Sequence, residues 1–238
     1  KGFERLPMTR NVLVVSSAES AEQLQRTLDA CSSLEELGMN CVFAGEDIGR
    51  LRAQFSSAPS DKSLFTNQEL EVVLVLGGDG SILRAAELAR AQDAPILGVN
   101  LGHIGFMAEA EVDDLTDVLT AISNKNYTVG HRVALEVKVF QDSELVFESW
   151  ALNEVSVEKS SRERMLEVVV EVDSRPVSSF GCDGVLVSTP TGSTAYAFSA
   201  GGPVIWPDVQ AMMLVPISAH ALFARPLVVA PDSELAIE

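Results

Sequence analysis

Glu71-Val72-Val73-Leu74-Val75-Leu76-Gly77-Gly78-Asp79-Gly80-Ser81 is the stretch that decides the fold. A continuous apolar run of this kind is buried on both faces of a parallel sheet. It ends in a turn of three glycines and one carboxylate. Ile82, Leu83, Ala86 and Ala89 then share one face of a helix predicted from Ser81 to Ala91. A strand that runs through glycines into a helix is a geometry for handling phosphate. Glycine admits positive φ and lets a ligand approach the backbone, and free amides at a helix start face an anion. Asp79 is the odd element, because a carboxylate repels phosphate. It can take a proton from an attacking hydroxyl or help to hold Mg²⁺; the plain alternative is an Asp that caps the helix. There is no G-x-x-x-x-G-K-[ST], and no G-x-G-x-x-G follows the first strand, which weakens a P-loop enzyme and an ordinary dehydrogenase.

Outward from this turn, the first half alternates strands and helices. Asn11 to Val15 reads as a buried strand, and Ala18, Ala21, Leu24, Leu28, Cys31, Leu34 and Leu37 as one face of a helix stopped by Gly38. Cys41 to Ala44 is a second strand, Gly45 to Glu69 is mostly loop, and Pro95 to Asn100 is a fourth strand before the glycine-rich loop Leu101–Phe106. Asp113 to Ile122 forms another helix. Such alternation predicts an open, mostly parallel sheet covered on both faces. After about Gly130 the period becomes two: Val133, Leu135, Val137 and Val139, then Leu166, Val168, Val170 and Val172, with turns at Gln141–Ser143 and Asp173–Pro176. This pattern predicts an all-β sandwich. The expected domains are residues 10–130, α/β, and 131–238, β-sandwich.

The 17 Lys and Arg stand against 34 Asp and Glu, a net charge of −17. That balance disfavours broad contact with nucleic acid or anionic membrane, while leaving room for a small anion held by backbone amides. Cys31, Cys41 and Cys182 form no CxxC or Cys/His cluster, and read as idle thiols rather than a disulfide frame or zinc site. No apolar run approaches the roughly 20 residues of a membrane span, and no basic-then-apolar signal opens the chain. A cytoplasmic protein is expected. Because the chain stops inside a strand-like segment, Leu235 to Glu238, further chain is expected after it.

Two other constellations carry polar chemistry. Asn153-Glu154 places an amide beside a carboxylate, able to read donor and acceptor groups, though alone it is an ordinary turn. Asp183 to Tyr196 is an apolar strand running into Thr189-Pro190-Thr191-Gly192-Ser193-Thr194, with a helix expected from about Ser193 to Gly201. Packed hydroxyls and amides before a helix can hold phosphate or ribose, and Tyr196 offers a stacking face.

The Gly77–Gly80 turn, the Leu101–Phe106 loop, Asn153-Glu154 and the Asp183–Ser199 stretch, in that order, resemble the NAD kinase family from Val12 onward. The resemblance implies an α/β first domain related to phosphofructokinase-like folds, followed by a β-sandwich. It implies phosphoryl transfer to the 2′-hydroxyl of the adenosine ribose of NAD, giving NADP. The donor would be ATP, or inorganic polyphosphate in some bacterial members, together with a divalent ion such as Mg²⁺. Homodimers or homotetramers are implied as well. Asp79 matches the proton acceptor, Gly80 continues its dinucleotide contact, and Gly78 is a binding position beside it. Phe106 matches an aromatic wall, and Asn153 and Glu154 a pair gripping ribose or nicotinamide-side groups. Asp183 matches an acidic contact, while Thr191, Thr194, Ala195, Tyr196, Ala197, Phe198 and Ser199 match the adenosine pocket. Arg84 could meet phosphate or be an exposed helix arginine; Arg164 and Gly181 sit at lesser contacts. No metal ligand is assigned. Gly80-Ser81 replaces the commoner Gly-Thr of relatives, and the family's closing segment has no counterpart before Glu238. The alternatives are a lipid kinase of the diacylglycerol type and a non-catalytic dinucleotide sensor.

Overall fold

The structure, a computed structural model, describes residues 10–17, 20–55, 59–101, 107–161, 164–220 and 225–238. The chain divides into two compact units, Lys1–Val129 and Gly130–Glu238.

The first unit is built on strands β1 (Asn11–Ser16), β2 (Asn40–Phe43), β3 (Val72–Leu76), β4 (Ile96–Asn100) and β5 (Ala110–Glu111). They pair in the order β2-β1-β3-β4-β5, all parallel. Helices α1 (Ala21–Glu36), α2 (Gly45–Gln54), α3 (Asp79–Ala89) and α4 (Leu115–Asn124) cover it. Alternate strand residues feed two cores. Val12, Val14, Val72, Leu74 and Leu76 pack with Leu24, Leu34, Leu51 and Ile122 on one face. Leu13, Val15, Val73 and Val75 pack with Ile82, Ala85 and Ala89 on the other. A Val or Leu side chain so buried contributes about 1.5–3 kcal/mol, which explains why β3 has no polar residue.

Local signals fix the helix ends. Ser20 and Gln23 form a capping box at α1, and Gly38, at φ 81°, follows its end. α2 corrects the expectation of a loop after Gly45: Ile48 and Leu51 are buried against the sheet. Its start carries no side-chain cap, and Glu46 and Asp47 in the first turn are the only start signal. α3 begins at Asp79, two residues before the expected Ser81. Gly98 lets it lie close to the sheet, since a Cβ there would come within 2.7 Å of the Ile82 side chain.

The second unit is all antiparallel. Its strands are β6 (Leu135–Gln141), β7 (Glu144–Ala151), β8 (Glu154–Glu158), β9 (Leu166–Val172), β10 (Arg175–Cys182), β11 (Gly184–Ser188), β12 (Met212–Ile217), β13 (Leu227–Val229) and β14 (Leu235–Ile237), with α5 (Tyr196–Ser199) between β11 and β12. They form sheets β10-β9-β14 and β13-β12-β11-β8, and a separate hairpin β6-β7. Val168, Val170, Phe180 and Cys182 of the first sheet share a core with Val185 and Leu214 of the second, as in a sandwich. Asp142-Ser143 and Asp173-Ser174, each pair at positive φ, close the hairpins β6-β7 and β9-β10 in the pattern of type I′ turns. All three cysteines are free and buried. No helix among the described residues is long and apolar enough to cross a membrane.

Candidate active site

In the first unit the connection from β1 leads to β2 on one side, and the chain then returns to place β3 on the other. The carboxyl ends of β1 and β3 therefore flank a topological switch point, where open α/β sheets bind ligands. Ser17, after β1, donates its amide to the Leu76 carbonyl at 3.1 Å. A Cβ on Gly77 would fall 2.7 Å from both the Ser17 and Ser81 hydroxyls, so the turn admits only glycine there. Gly78 and Gly80 face open space, and no glycine of the turn is at positive φ. Close packing, rather than left-handed backbone, thus accounts for Gly77, while Gly78 and Gly80 leave the backbone open to approach.

Asp79 is the first helical residue of α3, behind Gly78 as N-cap, and no side chain caps this helix. The capping alternative is thereby replaced by another arrangement: Asp79 Oδ1 accepts the Met107 amide at 3.1 Å. The amides of Ser81 and Ile82 return to the Gly78 carbonyl. A half-buried carboxylate is thus held at the rim of a switch point, at the positive end of a helix.

Arg84 lies farther along α3 and is neither exposed nor unoccupied. Its Nη2 donates to both oxygens of Asp47, at 2.7 and 2.6 Å, and its Nη1 to Glu46 at 3.3 Å. Asp47 is 2% exposed. Burial pushes its carboxyl up, and Arg84 draws it part of the way back. Phe106 and its loop, Gly102 to Phe106, lie outside the described residues.

In the second unit the β8–β11 register sets Ser188 opposite Glu154, which brings Asn153-Glu154 against the Thr189–Thr194 turn. Gly192 packs so closely that a Cβ would overlap the Asn153 peptide. The hydroxyls of the run then divide by task. Thr189 Oγ1 bonds the Leu152 carbonyl, and Ser188 Oγ lies 3.3 Å from the Asn153 carbonyl. Ser193 Oγ joins Pro190 to Ile205. By contrast, Asn153 Oδ1, Glu154 Oε2 and Thr191 Oγ1 are buried with no hydrogen-bond partner among the described residues. Burial pushes the Glu154 carboxyl up. Leaving such a group unmet costs about 1–3 kcal/mol. Two of them lie where β7 passes into β8 and the third in the adjoining Thr191–Thr194 turn, so they mark a candidate cradle for a polar ligand.

The remaining predicted residues sort clearly. Tyr196 and Phe198 are exposed, 40% and 58%, as is Ser199, whereas Ala197 is fully buried in the core with Leu186 and Met213. Thr194 Oγ1 lies 3.5 Å from the Thr191 carbonyl, and Ala195 is half-buried. The expected helix from Ser193 is instead a 3₁₀ turn, Thr191–Thr194, followed by the single turn of α5. The candidate surface of the second unit is thus a short turn and not a helix terminus. Asp183 pairs with Lys159 at 2.5 Å, which holds its carboxyl below the usual range. Gly181 is buried, with Glu167 Oε1 3.1 Å from where its Cβ would lie. Arg164 is exposed. Sequence reasoning missed the Met107 anchor and the scaffold roles of Ser188 and Thr189. Among the described residues no cluster of three or more His, Cys, Asp or Glu is placed to hold a metal ion.

Comparison with known proteins gives this geometry a family. Residues 11–127 match the model of the ATP-NAD kinase N-terminal domain, and residues 152–238 that of the ATP-NAD kinase C-terminal domain. The NAD kinase of Leifsonia xyli is 53% identical over 232 residues, 96% of this chain and 76% of that protein. The match to NAD kinase 2 of Streptomyces coelicolor is 60% identical over 168 residues, 71% of this chain and 56% of the relative. A yeast NADH kinase crystallised with NADH shares the fold at TM-score 0.84 and 24% identity, covering 96% of this chain and 72% of that one. An Archaeoglobus fulgidus NAD kinase in complex with ATP has TM-score 0.69 and 26% identity, covering 95% and 80%. These findings lend no support to a lipid kinase or a sensor: the chain belongs to the NAD kinase family.

Proposed function

We propose that this chain transfers the terminal phosphoryl group of ATP to the 2′-hydroxyl of the adenosine ribose of NAD, with Asp79 as proton acceptor. Family membership supports a kinase acting on NAD. The observation that carries the residue-level reading is the pairing of a positioned carboxylate with a cradle of unmet polar atoms in one chain. In the step, the ribose 2′-oxygen bonds to the terminal phosphorus and the bond from that phosphorus to its bridging oxygen breaks. The hydroxyl proton passes to Asp79, and ADP leaves. Phosphoryl transfer asks for orientation and charge placement more than for covalent help. Gly78 and Gly80, open to approach, would let the phosphates reach the turn amides. Asn153, Glu154 and Thr191 would take up the polar edge of the dinucleotide, with Tyr196 beside the adenine.

Inorganic polyphosphate would present the same terminal phosphates and stands as a second donor. A divalent ion such as Mg²⁺ would arrive with the donor, held chiefly by its phosphates; among the described residues no acidic cluster is placed to hold it alone. When bound it would offset the phosphate charge. Val139, Phe140, Leu145, Val146 and Phe147 of β6-β7 are 45–60% exposed, a surface that favours a homodimer or homotetramer, and the acidic composition suits a cytoplasmic protein.

The deciding assay incubates the protein with NAD, ATP and Mg²⁺ and follows NADP through an NADP-specific dehydrogenase. Steady NADP formation is expected. NAD binding without any NADP above background would refute the kinase and leave a sensor.

A further inference from the structure

We propose that Thr189 is a positioning residue for the dinucleotide, a buried clamp that fixes where Asn153, Glu154 and Thr191 present their unmet atoms. The inference rests on the reading of that cradle as the NAD site. Thr189 is 0% exposed, so it meets no ligand itself. Its hydroxyl donates to the Leu152 carbonyl at 2.5 Å and accepts the Gly192 amide at 3.1 Å. Its own amide donates to the Asn153 carbonyl at 2.8 Å. One side chain therefore ties the residue preceding Asn153-Glu154 to the turn that carries Thr191.

A hydroxyl has one proton to give and lone pairs to receive, and here both capacities are used on opposite sides of the cradle. Valine matches threonine in shape but supplies neither. Serine supplies both. The clamped segment is a 3₁₀ turn beside the end of a strand, with no long helix or ladder of its own to hold it. Losing the clamp should therefore displace the cradle more than it disturbs the sandwich core. Displacements near 1 Å at a positioned group can cost about 10²-fold in rate.

The test compares the unaltered protein with Thr189→Val and Thr189→Ser, measuring KM for NAD, KM for ATP, kcat, thermal midpoint and calorimetric NAD affinity. Thr189→Val should raise KM for NAD about tenfold or more and weaken NAD binding in parallel, with KM for ATP within about twofold; Thr189→Ser should stay within about threefold. A lowered thermal midpoint with unchanged KM and affinity for NAD would mean a purely structural role and overturn the proposal. Equal damage from Thr189→Ser would do the same. If Thr189→Val does not fold, Thr189→Ala serves, since its smaller side chain fits the buried position and likewise supplies neither hydrogen bond. The same selective loss of NAD affinity is expected, and unaltered affinity counts against the clamp. Should the unaltered protein bind NAD without turning it over, the kinase reading fails, while calorimetry still decides the role of Thr189.

Discussion

In the first unit the Asp79 carboxylate already accepts the Met107 amide, whereas in the second the buried oxygens of Asn153, Glu154 and Thr191 have no partner among the described residues. The difference is one of timing. A group that must act on a proton is oriented before the substrate arrives, so that little reorganisation remains for the reaction itself. Groups that recognise a ligand are left unmet, and the ligand relieves the cost of their burial. Under the proposed function the first unit would supply chemistry and the second affinity.

The comparison is most exposed at Asp79. Asp79→Asn should lower kcat by about 10²–10⁴-fold while calorimetric NAD affinity stays close to that of the unaltered protein. A fall in affinity as large as the fall in rate would erase the distinction between the units. The frame of the first site can be tested next through Arg84. Removing it takes from Asp47, 2% exposed, the partner that meets both its oxygens and leaves Arg50 at 2.9 Å, and Arg84→Met should cost about 2 kcal/mol in chemical denaturation. Adding Asp47→Asn should recover much of that; additive losses would argue against the pair. For the second unit, Asn153→Ala should raise KM for NAD about tenfold, with a smaller change in kcat. A selective loss of kcat would move Asn153 into the chemistry.

The smallest effects are set by pH, and the two units run in opposite directions. Arg10 holds the Glu71 carboxyl below its ordinary value through a hydrogen bond, against burial. Its contribution is present above the unfolded carboxyl value of about 4.3 and is lost as pH falls through the lower folded value. Glu71→Gln should therefore flatten the acid limb of a stability–pH curve. Glu154 is shifted up by burial, so its contribution is present below that unfolded value and is lost as pH rises through the higher folded one. Glu154→Gln should raise the thermal midpoint of the ligand-free protein at neutral pH while weakening NAD binding. A variant less stable at neutral pH would show that the carboxylate is not a burden.

Much of this was legible because it rests on residue type and spacing. Val72–Leu76 could only be a doubly buried strand, and a carboxylate inside a glycine turn had to be explained. α2 was hidden because Gly45 and Gly49 dilute its pattern, only Ile48 and Leu51 anchor its apolar face, and Ala44 offers no cap. The anchor of Asp79 was hidden for another reason: Met107 acts through its backbone, 28 residues away. Thr189 and Thr191 look alike in the sequence, two hydroxyls in one run. Only the β8–β11 register, which sets Ser188 opposite Glu154, makes one a clamp and leaves the other open.

The glycines of the Gly77–Gly80 turn have an unequal mutational fate. A side chain at Gly77 collides with Ser17 and Ser81, and one at Gly184 with the Val157 carbonyl, whereas Gly78 and Gly80 have room. A saturation survey that scores cellular abundance separately from growth should see Gly77 and Gly184 fail in both. Gly78 and Gly80 should persist as abundant, inert protein, so the outline of the ligand would be traced by the positions where the two scores part.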